Sequence, residues 1–187
     1  MQTKLRPKKT QDKLPIILSR DEINLIINSA TKPKNKLMLS ISYGAGLRVS
    51  ELVNLKIEDI NIKELTVHIK AKRKQEDRIS IIPEKIIPDL EEIIKQRLEN
   101  DYLFNNASGK KITTRTAQKI FENALKITNI KKELSFHSLR HSFAAHLLEN
   151  CIDMQCIQSL LGHKNIRATQ IYKQISSPNL KNIKSPF

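Results

Sequence analysis

A change of hydrophobic period near the middle of the chain constrains its fold more than any other feature. Leu65, Val67 and Ile69 alternate with polar residues, which is the two-residue period of a half-buried strand. A second alternating run follows at 78–82, after a short charged stretch. Two such runs predict a hairpin with a basic tip, and the apolar run at 102–104 suggests a short third strand. The flanking regions have helical spacing, so the sequence predicts a mainly α fold with a small antiparallel β-sheet.

Capping signals and periodicity predict the helices around this hairpin. Ser19, with Glu22 three residues later, forms a capping box that predicts a helix from residue 20 to about residue 30. Pro33 suits the start of a second helix, which Gly44 is expected to end. Further helices are predicted at 49–54, 86–98, 114–128, 137–149, 154–161, 167–174 and 179–184.

The N-terminal residues differ in composition from the rest of the chain. Residues 1–18 contain five Lys or Arg and a single acid, together with Pro7 and Pro15. This composition predicts a flexible basic arm, either a solubilising tail or a segment that follows DNA. Residues 19–187 are expected to form one folded domain with a C-terminal tail at 175–187.

The charge of the chain indicates a polyanionic partner. Its 187 residues include 33 Lys or Arg against 19 Asp or Glu, a net charge of +14. Nucleic acid is the default partner of such a protein, although a solubility surface or a ribosome-associated protein would have the same composition. The apolar runs are too short to cross a bilayer and there is no secretory signal. A cytoplasmic location, nucleoid-associated when DNA is bound, is therefore expected.

Three local motifs carry side chains suited to phosphate chemistry. Arg48 follows a Gly-rich turn and opens a short helix, where its guanidinium can reach beyond the helix start. His137 and Arg140 are one helical turn apart, on a face expected to stay free of the core. His163 follows Leu-Gly, and Tyr172 follows nine residues later.

Each motif also has an ordinary explanation when it is taken singly. Arg48 could pair with Glu51 on the helix surface. His137 and His141 have the spacing of two metal ligands, but the Glu of a zinc protease is absent beside the first His. Cys151 and Cys156 lack a second ligand pair, so no metal site is predicted. Tyr172 could be a half-buried aromatic residue.

Together and in this order, the motifs resemble those of the tyrosine recombinases, the group of phage integrases and Xer-type enzymes. The resemblance covers about residues 18–184 and rests on the following positions: Arg48, Lys72, His137-Ser138-Leu139-Arg140, Leu161-Gly162-His163 and Tyr172. It implies the catalytic-domain fold of these DNA breaking-rejoining enzymes. It also implies a site-specific recombinase or integrase that cleaves and rejoins DNA through a 3′-phosphotyrosyl intermediate.

The resemblance assigns a role to each matching residue. Tyr172 is the expected nucleophile, and Arg48 and Arg140 are expected to bind the non-bridging oxygens of the phosphate. His163 would add a hydrogen bond to the phosphate, and His137 would act as acid or base toward the tyrosine proton. Lys72 would protonate the leaving oxygen, with Lys70 and Lys74 as alternatives at the same turn. Because each phosphodiester is exchanged for a phosphotyrosine and back, neither ATP, a metal nor another cofactor is expected.

The resemblance also implies the partners. Double-stranded DNA is expected to lie against the start of the helix at 114–128, at Arg115, Gln118 and Lys119. A tetrameric synapse on DNA, with the C-terminal tail exchanged between subunits, is expected to form from protein that is monomeric in solution. The usual N-terminal DNA-binding domain of the family is expected to be absent, as in a truncated protein or a natural single-domain recombinase.

Three other functions are compatible with parts of the sequence. The region 154–174 could be the helix-turn-helix of a DNA-binding regulator. A type IB topoisomerase would use the same chemistry without synapsis. An RNA-binding structural protein would account for the charge alone.

Overall fold

The N-terminal helices begin where capping residues satisfy their first backbone amides. The computed structural model describes residues 14–71 and 76–174. Helix α1 (Arg20–Ser29) has a complete capping box, in which Ser19 Oγ accepts from the Glu22 amide and Glu22 Oε2 accepts from the Ser19 amide. Helix α2 (Pro33–Gly44) begins at Pro33, whose missing N–H costs nothing at this position. Both helices were predicted from these signals.

The remaining helices follow the predicted order, with differences in length. They are α3 (Val49–Leu52), α4 (Ile87–Ile94), α5 (Thr114–Thr128), α6 (His137–Glu149), α7 (Met154–Leu161) and α8 (Arg167–Gln170). Short 3-10 turns lie at Ile57–Asp59, Glu84–Ile86 and Ile171–Gln174. The helix predicted to reach residue 98 ends earlier, because Lys95 has an extended ψ of 130° and Gln96 a φ of 60°. The predicted helix at 179–184 lies outside the described residues.

The sheet is a three-stranded antiparallel meander. Strands β1 (Ile60–Asn61), β2 (Thr66–Ile69) and β3 (Arg78–Ile81) are ordered β1-β2-β3. The register pairs Val67 with Ser80 and Ile69 with Arg78. This confirms the hairpin, whose tip at 72–75 lies outside the described residues.

The third strand is not the predicted one. The prediction of a strand at 102–104 was wrong, since Tyr102 makes one isolated bridge, to Lys56, and Leu103 donates to the carbonyl of Leu55. Leu103 and Phe104 are both fully buried. The apolar run therefore reflects core packing, and β1 takes the place beside β2.

The packed domain begins one residue before the predicted boundary. Leu18, assigned to the flexible arm, is fully buried, and its amide donates to Ser142 Oγ in α6 at 2.9 Å. Leu14 and Ile16 are exposed. The rest of the arm, residues 1–13, and the predicted tail, residues 175–187, lie outside the described residues. No helix within 14–71 and 76–174 has the length and apolarity needed to cross a membrane.

Candidate active site

A tight turn between α2 and α3 positions Arg48. Gly46 has a φ of 60°, and a Cβ there would lie 2.5 Å from Cδ1 of Phe143. A larger residue is therefore excluded both by backbone strain and by the contact with α6. Arg48 follows as the N-cap residue of α3, with its side chain one quarter exposed.

Glu51 holds two arginines in place. Its carboxylate accepts from the backbone amide of Arg48 at 2.7 Å and from Nη1 of Arg48 at 2.8 Å. It also accepts hydrogen bonds from both terminal nitrogens of Arg78, at 2.7 and 2.9 Å. Burial would raise the pKa of Glu51, but the hydrogen bond and charge of Arg78 lower it to about 2. Glu51 is thus a fixed anion at neutral pH.

Arg140 is held deep in the site by backbone carbonyls. Its Nη1 donates to the Gly46 carbonyl at 2.7 Å and its Nη2 to the Leu161 carbonyl. Only 4% of the residue is exposed, so the prediction of an Arg140 side chain on a free face was wrong, whereas His137 is exposed. Burial and the charge of Arg48 lower the Arg140 pKa to about 9, which leaves a cation at pH 7 with further N–H donors for an anion.

His163 is placed by the end of α7. Gly162 terminates this helix with a left-handed φ of 63°, and a Cβ there would lie 2.8 Å from Cδ of Arg78. Nδ1 of His163 lies 3.0 Å from the hydroxyl of Thr169, which is fully buried. Burial and the nearby charges of Arg140, Arg48 and Arg78 lower the His163 pKa to about 4, so the ring is neutral at pH 7.

Tyr172 lies in the 3-10 turn that follows α8, and 2% of the residue is exposed. Its hydroxyl is 2.9 Å from Nδ1 of His141. Burial raises the Tyr172 pKa, while the charges of Arg140 and Arg48 act in the opposite direction. The phenol is therefore protonated at neutral pH, and the charges of the two arginines named by the sequence motifs act on it.

The structure thus gathers five of the six predicted catalytic residues. The charges of Arg48 and Arg140 act on three partners across the site: His137, His163 and Tyr172. The sixth, Lys72, lies outside the described residues, as does Lys74. No group of three or more His, Cys, Asp or Glu within the described ranges could hold a metal ion.

The predicted DNA-binding residues lie on the first two turns of α5. Arg115 and Lys119 are exposed, and both approach Glu122, with nitrogen–oxygen distances of 2.8 and 3.7 Å. Gln118 is partly buried. Their role stays a prediction.

Two residues of the site were missing from the sequence prediction. Arg78 joins β3 to Glu51, and its Nε donates to the Leu160 carbonyl of α7 at 2.8 Å. His141 contacts Tyr172, although in the sequence it stood out only by its metal-ligand spacing from His137. The signal for Arg78 was its position at the start of a predicted strand directly after the basic hairpin tip.

The helix-turn-helix alternative does not fit this region. The connection between α7 and α8 is 162–166, and α8 has four residues. A recognition helix must be long enough to lie in a major groove and follows a turn of about three or four residues. The second helix is therefore too short for this role.

The arrangement of a buried tyrosine, two arginines and a histidine in a mainly helical domain defines the catalytic domain of a tyrosine recombinase. Residues 17–177 match the profile of the phage integrase family, and the chain belongs to this family. It is 36% identical over 182 residues to tyrosine recombinase XerA of Pyrococcus horikoshii, covering 95% of this chain and 63% of that protein. The same identity, over 188 residues, relates it to tyrosine recombinase XerD of Oceanobacillus iheyensis, with 95% and 63% covered.

Comparison with solved structures also finds tyrosine recombinases. A crystal structure of XerA recombinase superposes with a TM-score of 0.81 at 31% identity, covering 91% of this chain and 64% of that one. XerH recombinase in a post-cleavage complex with its difH substrate gives a TM-score of 0.77 at 26% identity, covering 91% and 52%. The chain thus spans less than two thirds of these relatives.

Proposed function

We propose that this chain carries the catalytic centre of a site-specific DNA recombinase, which breaks and rejoins strands through a covalent bond to Tyr172. The observation that carries the proposal is that the charges of Arg48 and Arg140, which come from elements far apart in sequence, act on both His163 and Tyr172. This set of groups suits transesterification at a phosphodiester, because it combines a nucleophile with fixed cations for the phosphate charge.

In the proposed reaction the two arginines neutralise the scissile phosphate. Negative charge accumulates on its non-bridging oxygens in the transition state, and preorganised donors there reduce the barrier. Glu51 and the carbonyls of Gly46 and Leu161 hold Arg48 and Arg140 before DNA binds, so little reorganisation is needed. His163, neutral and anchored by Thr169, would donate to the same phosphate.

Proton transfer completes the proposed cycle. Tyr172 loses its proton as its oxygen bonds to phosphorus, and the 5′-oxygen of the cleaved strand takes a proton as it leaves. Lys72 is the proposed donor to that oxygen, and His137 belongs to the acid–base set on the tyrosine side. Rejoining is the reverse, with the 5′-hydroxyl attacking the phosphotyrosine.

Double-stranded DNA is the proposed substrate. Support comes from the net charge of +14 and from the relative XerH, whose structure was solved bound to DNA of its difH site. The exposed Arg115 and Lys119 on α5, with Gln118 beside them, are proposed to contact the phosphate backbone.

A tetrameric synapse joined by exchange of residues 175–187 is proposed for assembly on DNA. Leu180 and Ile183, three residues apart, would form a small apolar face that suits a groove on a neighbouring subunit. Truncation after Gln174 is expected to leave binding to a single site nearly unchanged while weakening synapsis, measured by gel mobility with one and two sites. A truncated chain that pairs two sites as well as the parent would contradict tail exchange.

The catalytic proposal is tested with a nicked suicide substrate, from which a cleaved fragment diffuses away and traps the covalent adduct. The parent chain is expected to give an SDS-resistant protein–DNA adduct. Tyr172→Phe is expected to bind DNA with unchanged affinity and to give no adduct, because it loses only the nucleophilic oxygen.

Tyr43→Phe and Tyr102→Phe are the matched controls, since each removes one phenol oxygen elsewhere in the chain. Both are expected to form adduct. An adduct that persists in Tyr172→Phe and maps to another tyrosine would overturn the assignment.

A further inference from the structure

A histidine outside the expected catalytic set contacts the proposed nucleophile. His141 lies one turn after His137 on α6, and its Nδ1 is 2.9 Å from the Tyr172 hydroxyl. The two ring centroids are 5.9 Å apart. Because Tyr172 is almost completely buried, bulk water has little access to its hydroxyl. A proton leaving this oxygen therefore needs an acceptor within the protein.

His141 is unprotonated at neutral pH, as a proton acceptor must be, and its lowered pKa also makes it a weaker base than free imidazole. Burial, together with the neighbouring ionisable groups His137 and Arg140 on the same helix, lowers its pKa to about 4. The ring is thus neutral at pH 7 and has one nitrogen with a free lone pair. In the tautomer that carries its proton on Nε2, Nδ1 can accept the phenol proton directly.

His137 has a less direct position on the same helix. It is exposed, and its ring centroid is 6.4 Å from that of His141. Partial desolvation of its ring and the charges of Arg140 and Arg48 lower the pKa of His137. The charges of the two arginines proposed to bind the phosphate therefore act on His137, while His141 has a hydrogen-bond contact with the proposed nucleophile.

We infer that His141 is the immediate acceptor of the Tyr172 proton in the proposed cleavage reaction. As the bond between the tyrosine oxygen and phosphorus forms, the phenol proton moves to Nδ1 of His141, and the bond between phosphorus and the 5′-oxygen breaks. In rejoining, the same proton returns to the tyrosine oxygen as it leaves phosphorus. The inference rests on the proposed function and adds a catalytic residue to it.

The chain contains a matched control for this contact. Further along α6, Nδ1 of His146 lies 2.8 Å from the hydroxyl of Tyr43, with ring centroids 5.9 Å apart. Burial lowers the His146 pKa as well. This is the same histidine–phenol pair on the same helix, next to a tyrosine with no proposed role in the chemistry.

The experiment compares His141→Gln, His141→Ala and His146→Gln in the full chain. The readouts are the single-turnover rate of adduct formation on the suicide substrate and the affinity for the same DNA. Glutamine can keep a hydrogen bond to the phenol but cannot take up its proton. Both His141 variants are expected to slow adduct formation by at least about a hundredfold with affinity unchanged. His146→Gln is expected to stay within about threefold of the parent, because no proton is transferred at Tyr43.

Added imidazole makes the test specific for proton transfer. It is expected to accelerate His141→Ala, whose shortened side chain leaves room for the base, by at least about tenfold, and to leave His141→Gln and the parent unchanged. His141→Gln at the parent rate, or a folded His141→Ala that imidazole does not accelerate, would overturn the inference. If His141→Ala does not fold, the single-turnover rate of His141→Gln decides on its own whether the inference stands. A parent chain that forms no adduct would instead overturn the proposed function.

Discussion

Among single residues, Lys70 of the hairpin stands next to two carboxylates. Nζ of Lys70 lies 2.8 Å from Glu58 Oε1 and 2.8 Å from Oδ1 of the buried Asp59. These contacts raise the Lys70 pKa, which makes it a poorer proton donor. The proposed general acid is therefore Lys72 and not Lys70.

We predict that the Lys72→Ala variant does not cleave ordinary DNA. The same variant should cleave almost normally a DNA substrate in which the 5′-bridging oxygen is replaced by sulfur. A thiolate leaves without protonation, so the missing acid is no longer needed. Lys70→Ala is the control and should cleave both substrates at similar rates, measured as adduct formation. Sulfur rescue in Lys70→Ala would move the general acid by two residues.

The family resemblance named most of the candidate site residues, but not the contact between His141 and Tyr172. The interval from His137 to Arg140 shows that the two lie near each other on α6. Which histidine meets Tyr172 depends on the rotation of α6, and this is set by the packing of Phe143 against Gly46 and α7. That contact joins residues about a hundred positions apart, so local periodicity carries no information on it.

At the scale of elements, Arg78 joins three pieces of the structure. It opens β3, binds Glu51 of α3 with both terminal nitrogens, and donates to the Leu160 carbonyl of α7. A planar guanidinium can satisfy all three contacts at once, whereas an ammonium cannot. The returning strand of the hairpin is thereby connected to the elements that carry Arg48 and His163.

We predict that Arg78→Lys lowers the single-turnover cleavage rate by more than about tenfold and changes DNA affinity by less than about threefold. The variant keeps the charge but loses the geometry that orients Glu51, and through it Arg48. Arg20→Lys, at an exposed arginine paired with Glu149, is the matched control and should cleave at the parent rate. Equal losses in affinity and rate would mean that Arg78 acts only through DNA binding.

Element prediction succeeded where signals were local and failed where strands pair over distance. Capping and periodicity predicted α5, α6 and α7 with the bounds observed. Strand β1 has two residues, too few for an alternating pattern, and it exists because β2 offers an unpaired edge. The run at 102–104 had the apolar character of a strand, but its residues fill the core.

For the whole molecule, the buried ionisable groups predict the response to acid. The folded-state pKa values of four histidines lie below their ordinary value: His137, His141, His146 and His163. The unfolded chain therefore binds more protons than the folded one below about pH 6.5. These histidines therefore leave the free energy of unfolding unchanged above that pH, and they lower it as the pH falls toward about 4. A second loss follows between about pH 4.5 and 2, from Glu51.

We predict that the urea midpoint of unfolding falls between pH 7 and pH 5, before most carboxylates titrate. The double variant His141→Gln, His163→Gln should show a smaller fall over the same interval, because two of the responsible groups are removed. This control separates histidine titration from general charge repulsion. A parent midpoint that is constant between pH 7 and pH 5 would contradict the prediction.

The buried hydrogen bond from the Leu18 amide to Ser142 Oγ has a mechanical consequence. Ser142 is the residue directly after His141, so the point where the chain enters the domain is fastened to the helix that holds the proposed nucleophile's partner. Tension on the segment that leads into Leu18 is then expected to reach α6 through this hydrogen bond and the buried Leu18 side chain. Pulling at this end is therefore expected to load both α6, through Ser142, and Lys132, which donates to the Ile17 carbonyl.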